Sequence, residues 1–372
     1  MNVQRAAATL TITADTGHFV VGNPDTGDFV AIPPIGVDVL LWLRAGVGVS
    51  ECAARAHAAM GEIIDVDGFL EALSDAGILG EPASRPFERA LPGRRIGRLL
   101  VSRQYLLAVA SVFLAAMICG LTQPGLLPRP SDFTVSSEPL LNLLLLTSIS
   151  LVCTVAHECA HLSAASARGV RARLSISRRL FFVTAQADLT RLWAVDRSQR
   201  YAPLLAGLVL DLASTSICLI VEACGYDPSW IRATVAIQLA AAAFQGAVFM
   251  RTDLYAVIAA ASGSVQFWRL KTAALRRCCR VATTADGQLL ADASARELRW
   301  ARVYLAIFVV GNVAATWYFV RIALPGLVQV VGICVHVLVS AGVSDQRTYQ
   351  AAGVLALIAL PATWPWSALR AR

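Results

Sequence analysis

The chain alternates long apolar segments with short segments rich in arginine. Seven apolar segments approach or reach the length of a membrane-spanning helix, namely 105–121, 140–167, 201–224, 231–261, 300–320, 324–341 and 351–366. About 20 apolar residues in a helix cross the hydrocarbon core of a bilayer. The last segment is short and contains Pro361 and Pro365. The pattern therefore predicts an all-α polytopic membrane protein with six or seven spans.

In residues 1–80 the apolar and polar positions instead form short runs, which are typical of strands and amphipathic helices. Alternating runs at 9–13, 17–21 and 28–32 predict strands, since turn-forming residues separate them. Apolar residues at helical spacing then predict three amphipathic helices, at 34–44, 49–60 and 65–76. A β-hairpin followed by three helices predicts a winged-helix-like α+β domain at the N-terminus.

The positions of the arginines divide the chain after residue 80 into spans and the segments between them. Arginine-rich stretches at 85–103, 168–179, 197–200 and 269–280 predict cytoplasmic ends of spans. We therefore expect four parts after the first domain: a basic linker at 81–103, a membrane core at 104–262, a cytoplasmic basic loop at 263–300, and C-terminal transmembrane helices at 301–372. Residues 1–30 lack the pattern of a cleavable signal peptide, which predicts a cytoplasmic N-terminal domain.

Composition agrees with this arrangement. Of 372 residues, 56% are hydrophobic and only 15% are charged, which excludes an ordinary soluble globular protein. The net charge of +7 comes from arginines at the ends of spans, so it predicts membrane topology and no nucleic-acid partner. We expect a multi-pass protein of the cell membrane, in contact with lipids, and a homo-oligomer is compatible with the sequence.

The second apolar segment contains the motif His157-Glu158-Cys159-Ala160-His161. Histidines four residues apart lie on one face of a helix and can bind one Zn²⁺. Glu158 is then placed to act as a general base toward water at the metal. Ionisable residues at membrane depth are costly and usually functional. The competing interpretation is a chance five-residue match that binds no metal.

Two aspartates are candidates for the third ligand that a catalytic zinc requires. Asp211 lies eleven residues after Arg200, and His157 lies eleven residues before Arg168. Asp253 lies ten residues before Gly263, where the fourth span should end. All three side chains are therefore predicted at similar depth, and depth does not distinguish Asp211 from Asp253.

Between the second and third spans, residues 171–178 and 180–187 lack helical spacing. They predict a small membrane-associated β-hairpin joined at Arg178-Arg179. An exposed strand edge near the metal could hold a substrate in extended form, whereas a helical substrate hides its peptide bonds. The alternative is a surface loop without a role in binding.

The motif at 157–161, the small residues Ala164 and Ala165, and the later Arg251-Thr-Asp253-Leu-Tyr255 together resemble the site-2 protease family of intramembrane zinc metalloproteases. The resemblance covers residues 140–262. It implies a zinc endopeptidase with His157, His161 and Asp253 as ligands and Glu158 as the catalytic residue, and it leaves Asp211 to orient an imidazole. Leu254 stands where the family commonly has glycine.

The N-terminal residues 21–46 and 65–79 resemble PqqD-like leader-peptide recognition domains. The two resemblances together imply cleavage of a ribosomally made precursor peptide, with removal of its leader, and among such enzymes the chain most resembles the membrane proteases of daptide-type biosynthesis. Two alternatives remain open. One is regulated cleavage of a single-span signalling protein such as an anti-sigma factor, and the other is a non-catalytic membrane receptor or peptide-export factor.

Overall fold

The computed structural model is mostly helical. It describes residues 3–15, 18–23, 28–79, 93–179, 182–263, 267–340 and 345–359.

The N-terminal domain combines a small sheet with four helices. In chain order its elements are α1 (Val3–Thr9), β1 (Thr11–Asp15), β2 (His18–Asn23), β3 (Asp28–Ile32), α2 (Pro34–Arg44), α3 (Val49–Met60) and α4 (Val66–Asp75). The strands form an antiparallel sheet in the order β1-β2-β3. The strands and the last three helices agree with the prediction, while α1 was not predicted. The winged-helix assignment is not confirmed.

Apolar side chains from both layers form the core of this domain. Val21 from the sheet and Leu40 and Leu43 from α2 are fully buried. Asp65 precedes α4, and its side chain accepts a hydrogen bond of 2.8 Å from the backbone N–H of Gly68. Such a cap satisfies one of the free donors in the first turn of a helix, which explains why α4 begins there.

The remaining chain contributes eleven helices and a hairpin among its described residues. They are α5 (Arg94–Leu100), α6 (Arg103–Thr122), α7 (Pro139–Ala167), β4 (Arg173–Arg179), β5 (Phe182–Asp188), α8 (Arg197–Ala223), α9 (Ser229–Gln245), α10 (Asp253–Ser262), α11 (Phe267–Cys278), α12 (Thr284–Asp292), α13 (Ala295–Tyr318), α14 (Leu324–Ser340) and α15 (Gln346–Ala359).

Four of the described helices are long and apolar enough to cross a membrane. Three are α6, α7 and α8, and the fourth is a continuous helix of 46 residues, Ala295–Ser340. The predicted six or seven spans are not confirmed. The segments at 300–320 and 324–341 share this one long helix, in which a π-helical stretch at Phe319–Ala323 joins α13 to α14. The predicted fourth span is divided between α9 and α10.

Two predicted regions are described only in part. Residues 81–92 of the predicted linker lie outside the described residues, and so do residues 360–366 of the last predicted span. The rest of the linker includes α5, which packs on α7 so closely that a Cβ added at Gly97 would overlap the carbonyl oxygen of Ser163. The predicted basic loop contains α11 and α12.

Small residues bring α7 and α8 close together. Ala160 and Ala164 of α7 and Ala206 of α8 form one buried cluster. Small side chains at a helix interface let the backbones approach closely. This packing turns the histidine face of α7 toward α8.

The predicted hairpin is present as the antiparallel pair β4-β5, with Arg173 opposite Asp188 and Arg179 opposite Phe182. The two residues between the strands, 180 and 181, follow the predicted turn by two positions and lie outside the described residues. A 3₁₀ turn, Thr190–Ala194, then leads toward α8. The N-terminal sheet contacts this turn, where the Thr13 hydroxyl donates a hydrogen bond of 3.0 Å to the carbonyl of Ala194.

Candidate metal centre

Two imidazole rings of α7 meet in the interior of the protein. His157 is 7% exposed and His161 is 1% exposed. Their Nε2 atoms are 3.0 Å apart, as expected for residues one turn apart on a helix. The predicted pairing of these histidines therefore occurs in the structure, on the face of α7 that packs against α8.

Asp253 approaches the same point from the start of α10. Its Oδ2 lies 2.9 Å from Nε2 of His157 and 3.4 Å from Nε2 of His161. The helical path breaks just before it, since Val248–Met250 is a 3₁₀ turn and Arg251 has a φ of 60°. The break is held by the hydroxyl of Thr252, which donates a hydrogen bond of 2.7 Å to the carbonyl of Gln245.

The side chain of Gln245 fixes the aspartate itself. Its Nε2 donates to Oδ2 of Asp253 at 2.9 Å, and its Oε1 accepts from the backbone N–H of Asp253 at 3.0 Å. These two contacts hold the carboxylate and its backbone together. The orientation of Asp253 is therefore set by the end of α9, across the break.

The outer nitrogens of both rings are also occupied. Nδ1 of His157 lies 2.6 Å from Oδ2 of Asp211, on α8. Nδ1 of His161 lies 2.7 Å from the carbonyl oxygen of Pro203, also on α8. A carbonyl or carboxylate oxygen accepts hydrogen bonds only, so each Nδ1 must carry the proton. In neutral rings both Nε2 atoms then present lone pairs to each other and to Asp253.

The spacing of these three acceptor atoms matches a metal site. Zinc bonds of about 2.0–2.1 Å in tetrahedral geometry place ligand atoms about 3.3 Å apart, and the three separations here are 2.9, 3.0 and 3.4 Å. His157, His161 and Asp253 together could hold a metal ion. A cation bound there would also remove the repulsion among three converging lone pairs.

Gly207 leaves the space beside these atoms open. A Cβ added to this glycine of α8 would lie 2.5 Å from Nε2 of both His157 and His161. Real Cβ atoms essentially never approach other atoms so closely. The absence of a side chain at this position is therefore a requirement of the site.

Glu158 lies beside the cluster and touches the hairpin. It lines the same cavity as His157, Asp211 and Asp253, a space of about 410 Å³. Its Oε2 accepts a hydrogen bond of 2.5 Å from the backbone N–H of Ala187 in β5. The carboxylate thus lies between the cluster and the strand.

A second cavity, of about 450 Å³, meets the first at Gln186 and Asp253. The first is bounded by α7 and α9, and the second by the 3₁₀ turn at Thr190–Ala194, α10 and the start of α11. Gln186 and Asp253 are the two lining residues that the cavities share, and the other walls come from different elements.

The structure brings His157, Glu158, His161 and Asp253 together and places Asp211 on the far nitrogen of His157. Sequence reasoning missed the contributions of Pro203, Gly207 and Ala187. Two of these act through backbone atoms and one through the lack of a side chain, so no motif marks them. Gln245 had a weak signal, as an amide within an apolar span.

No family model, curated protein or solved structure matches the chain. The functional interpretation therefore depends on the geometry of the site.

Proposed function

We propose that this protein is an intramembrane zinc endopeptidase that cleaves a ribosomally made precursor peptide. The observation that carries the proposal is the convergence of three lone-pair atoms, from His157, His161 and Asp253, beside the space that Gly207 leaves open. Two imidazoles and one carboxylate form a common protein ligand set for catalytic zinc, which keeps one position for water or substrate. A zinc ion held there would polarise a peptide carbonyl and lower the pKa of water.

The surrounding residues would keep both imidazoles ready to bind. Asp211 and the carbonyl of Pro203 fix the tautomer and rotation of the two rings, as partners of metal-binding histidines commonly do. Gln245 fixes Asp253. Each ligand therefore has its own support, and little rearrangement is needed on binding.

Glu158 would handle the proton. Its carboxylate faces the cavity next to the ligands and can take a proton from the attacking water and deliver it to the leaving amine. Ala187 donates to Oε2 of Glu158. That contact holds the carboxylate in place and links its position to β5.

The hairpin would present the substrate. The N–H of Ala187 points from β5 toward Glu158, so a peptide lying along this strand edge would pass the metal in extended form. The two cavities that meet at Gln186 and Asp253 would accommodate the chain on either side of the cleaved bond.

The N-terminal domain supports a peptide substrate through its position. Its sheet contacts the 3₁₀ turn at Thr190–Ala194, which also lines the second cavity. In this proposal the domain is cytoplasmic and binds the leader of the precursor, and the chain lies in the cell membrane as a multi-pass protein. Cleavage of a single-span signalling protein is the second candidate, favoured by the apolar side chains of Ile237, Ala241 and Phe244 in the wall of the first cavity.

The test uses purified full-length protein in lipid nanodiscs and a proteome-derived peptide library read by mass spectrometry. We expect about one zinc per chain and cleavage that chelators abolish. Glu158→Gln should keep zinc and lose about 10²- to 10⁴-fold in cleavage rate.

Glu222→Gln is the matched control, because Glu222, like Glu158, is a glutamate of a membrane helix and does not line either cavity. It should cleave like the unmodified chain. Protein without zinc, or equal cleavage by the Glu158→Gln variant, would contradict the proposal and favour a non-catalytic peptide receptor.

A further inference from the structure

The second cavity contains a cation that the proposed mechanism does not use. Arg251 lines this cavity two residues before Asp253, and its side chain is exposed. Its φ of 60° is one of two positive values among the described non-glycine residues. Such a conformation is uncommon for a side chain of this size, so the break before α10 holds Arg251 in an unfavourable backbone state.

Aromatic rings hold the guanidinium of Arg251 in place. Its Cζ lies 4.9 Å from the ring centre of Trp268 and 5.9 Å from that of Tyr255. These are cation–π distances, which restrict an arginine without neutralising it. The hydrogen-bonding edge of the guanidinium therefore stays available to a ligand.

The charge of Arg251 has no acidic partner among the residues that the structure describes. Asp188 lines the same cavity, but its Oδ1 accepts hydrogen bonds from the N–H and the hydroxyl of Thr190. The carboxylate of Asp253 faces the two histidines. The other cation of the cavity wall, Arg200, is 1% exposed and donates to the carbonyls of Val195 and Trp193.

A second cation strengthens the positive field. Lys271 is buried, and its Nζ lies 3.6 Å from the ring centre of Trp268 and 3.7 Å from that of Phe308. Burial, and then the nearby Arg251, lower the pKa of Lys271 to about 8. Two cations therefore share Trp268 without a described carboxylate between them.

We propose that Arg251 binds a carboxylate of the peptide substrate, so that the second cavity selects an acidic side chain or a free C-terminus on one side of the cleaved bond. A guanidinium recognises a carboxylate through two parallel hydrogen bonds. The first cavity is lined by the carboxylates of Glu158 and Asp211 and, among the described residues, by no arginine or lysine, so a carboxylate would be preferred on one side of the cleaved bond only. This inference rests on the proposed peptide substrate, and it assigns a specificity to the same site.

Peptide binding tests this inference separately from catalysis. The full chain carrying Glu158→Gln is placed in nanodiscs, and the binding of peptides with a neutral dye is followed by anisotropy. The probes are twelve-residue peptides of Ala, Leu and Gly in three forms: one Glu with an amidated end, one Gln with an amidated end, and one Gln with a free carboxylate. The Glu and Gln are moved through every position.

We expect a carboxylate to tighten binding about tenfold, which corresponds to about 1.4 kcal/mol. A gain from internal Glu identifies an acidic side chain as the ligand, and a gain from the free end identifies the C-terminus. Arg251→Gln should remove the gain, and Arg251→Lys should keep part of it. Arg251→Glu should transfer the gain to an additional probe that has Lys in place of Glu and an amidated end. Arg251→Gly should also remove it without backbone strain, because glycine tolerates positive φ.

Arg280→Glu is the matched control, since Arg280 is the other described non-glycine residue with positive φ and lies outside both cavities. It should leave the gain unchanged. The inference is overturned by equal binding of all three probe forms, by a gain that survives Arg251→Gln, or by Arg251 variants that alter only binding to phosphatidylglycerol nanodiscs. Carboxylate discrimination in a chain that holds no zinc would retain this subsite and contradict the peptidase.

Discussion

His157 lies between two regions that support it in different ways. On one side is α8, a continuous helix that provides the carboxylate of Asp211, the carbonyl of Pro203 and the open space at Gly207. On the other side is the start of α10, where Asp253 is held by Gln245 across a break in the helical path. The α8 side orients the imidazoles, whereas the α10 side completes the candidate ligand set.

The α8 side and the α10 side therefore control the candidate metal site in different ways. A continuous packed helix gives fixed reference points, since its backbone cannot shift locally without losing hydrogen bonds. A helix that starts at the ligand can place a carboxylate at an angle that an unbroken span would not allow. Substitutions on the two sides should therefore have distinguishable effects.

Removing the carboxylate on the α10 side should have the largest effect. Asp253→Asn keeps the shape of the side chain but loses an anionic ligand, so we expect zinc affinity to fall by more than about 100-fold, beyond the range typical of residues that only support ligands. Metal content after dialysis against a zinc buffer measures this. Retention of full zinc by the variant would mean that the α10 side does not complete the site.

Filling the space on the α8 side should be nearly as damaging. Gly207→Ala would place a methyl group 2.5 Å from both Nε2 atoms, so zinc should be lost although every ligand is present. Gly120→Ala is the matched control, because a Cβ at this position of α6 meets nothing within 4 Å. The control should bind zinc normally. Equal zinc content in both variants would show that α8 can move away from the rings.

Changing the orienting carboxylate should have an intermediate effect. Asp211→Asn leaves all three ligands but weakens the hold on Nδ1 of His157, and such supporting partners are worth about 10- to 100-fold in metal affinity or activity. Isothermal titration with zinc measures the metal affinity, and the cleavage rate at saturating zinc measures the activity. A loss as complete as that of Asp253→Asn would assign Asp211 a direct bond to the metal.

Loosening the support of Asp253 should give the smallest change. Gln245→Ala removes two hydrogen bonds to Asp253, each worth about 1 kcal/mol. We expect zinc affinity to fall about tenfold while the zinc-saturated protein still cleaves. No change in affinity would show that the break at Val248–Met250 alone positions the aspartate.

The sequence predicted the parts of this site that depend on local spacing. His157 and His161 lie on one face because four residues make about one helical turn, and Glu158 follows from the same motif. Depth in the membrane is a single coordinate and did not separate the roles of Asp211 and Asp253, so only the resemblance favoured Asp253 as the ligand. Their roles depend on the rotation of α8 about its axis and on the break before α10, which are set by packing between distant segments.

In the fold, too, the features that depend on local sequence were predicted and those that depend on distant packing were not. The N-terminal strands and three of its helices follow from alternating or helical spacing and from turn residues, and their predicted bounds are close to the observed ones. The long helix differs from the prediction of two separate spans at 300–320 and 324–341, because the chain continues as one helix through Pro325. A proline lacks an N–H and crowds the preceding turn, and the π-helical stretch at Phe319–Ala323 lies in the turn that must adjust.

The contact between Thr13 and Ala194 joins the N-terminal sheet to the wall of the second cavity. A precursor anchored on that sheet would reach the cavity as part of the same assembly, at an effective concentration of about millimolar for a short flexible connection. If the protein is the proposed peptidase, weak recognition near the cleaved bond would then be sufficient for turnover. Separating the leader from the rest of the peptide should therefore raise KM far more than it lowers kcat.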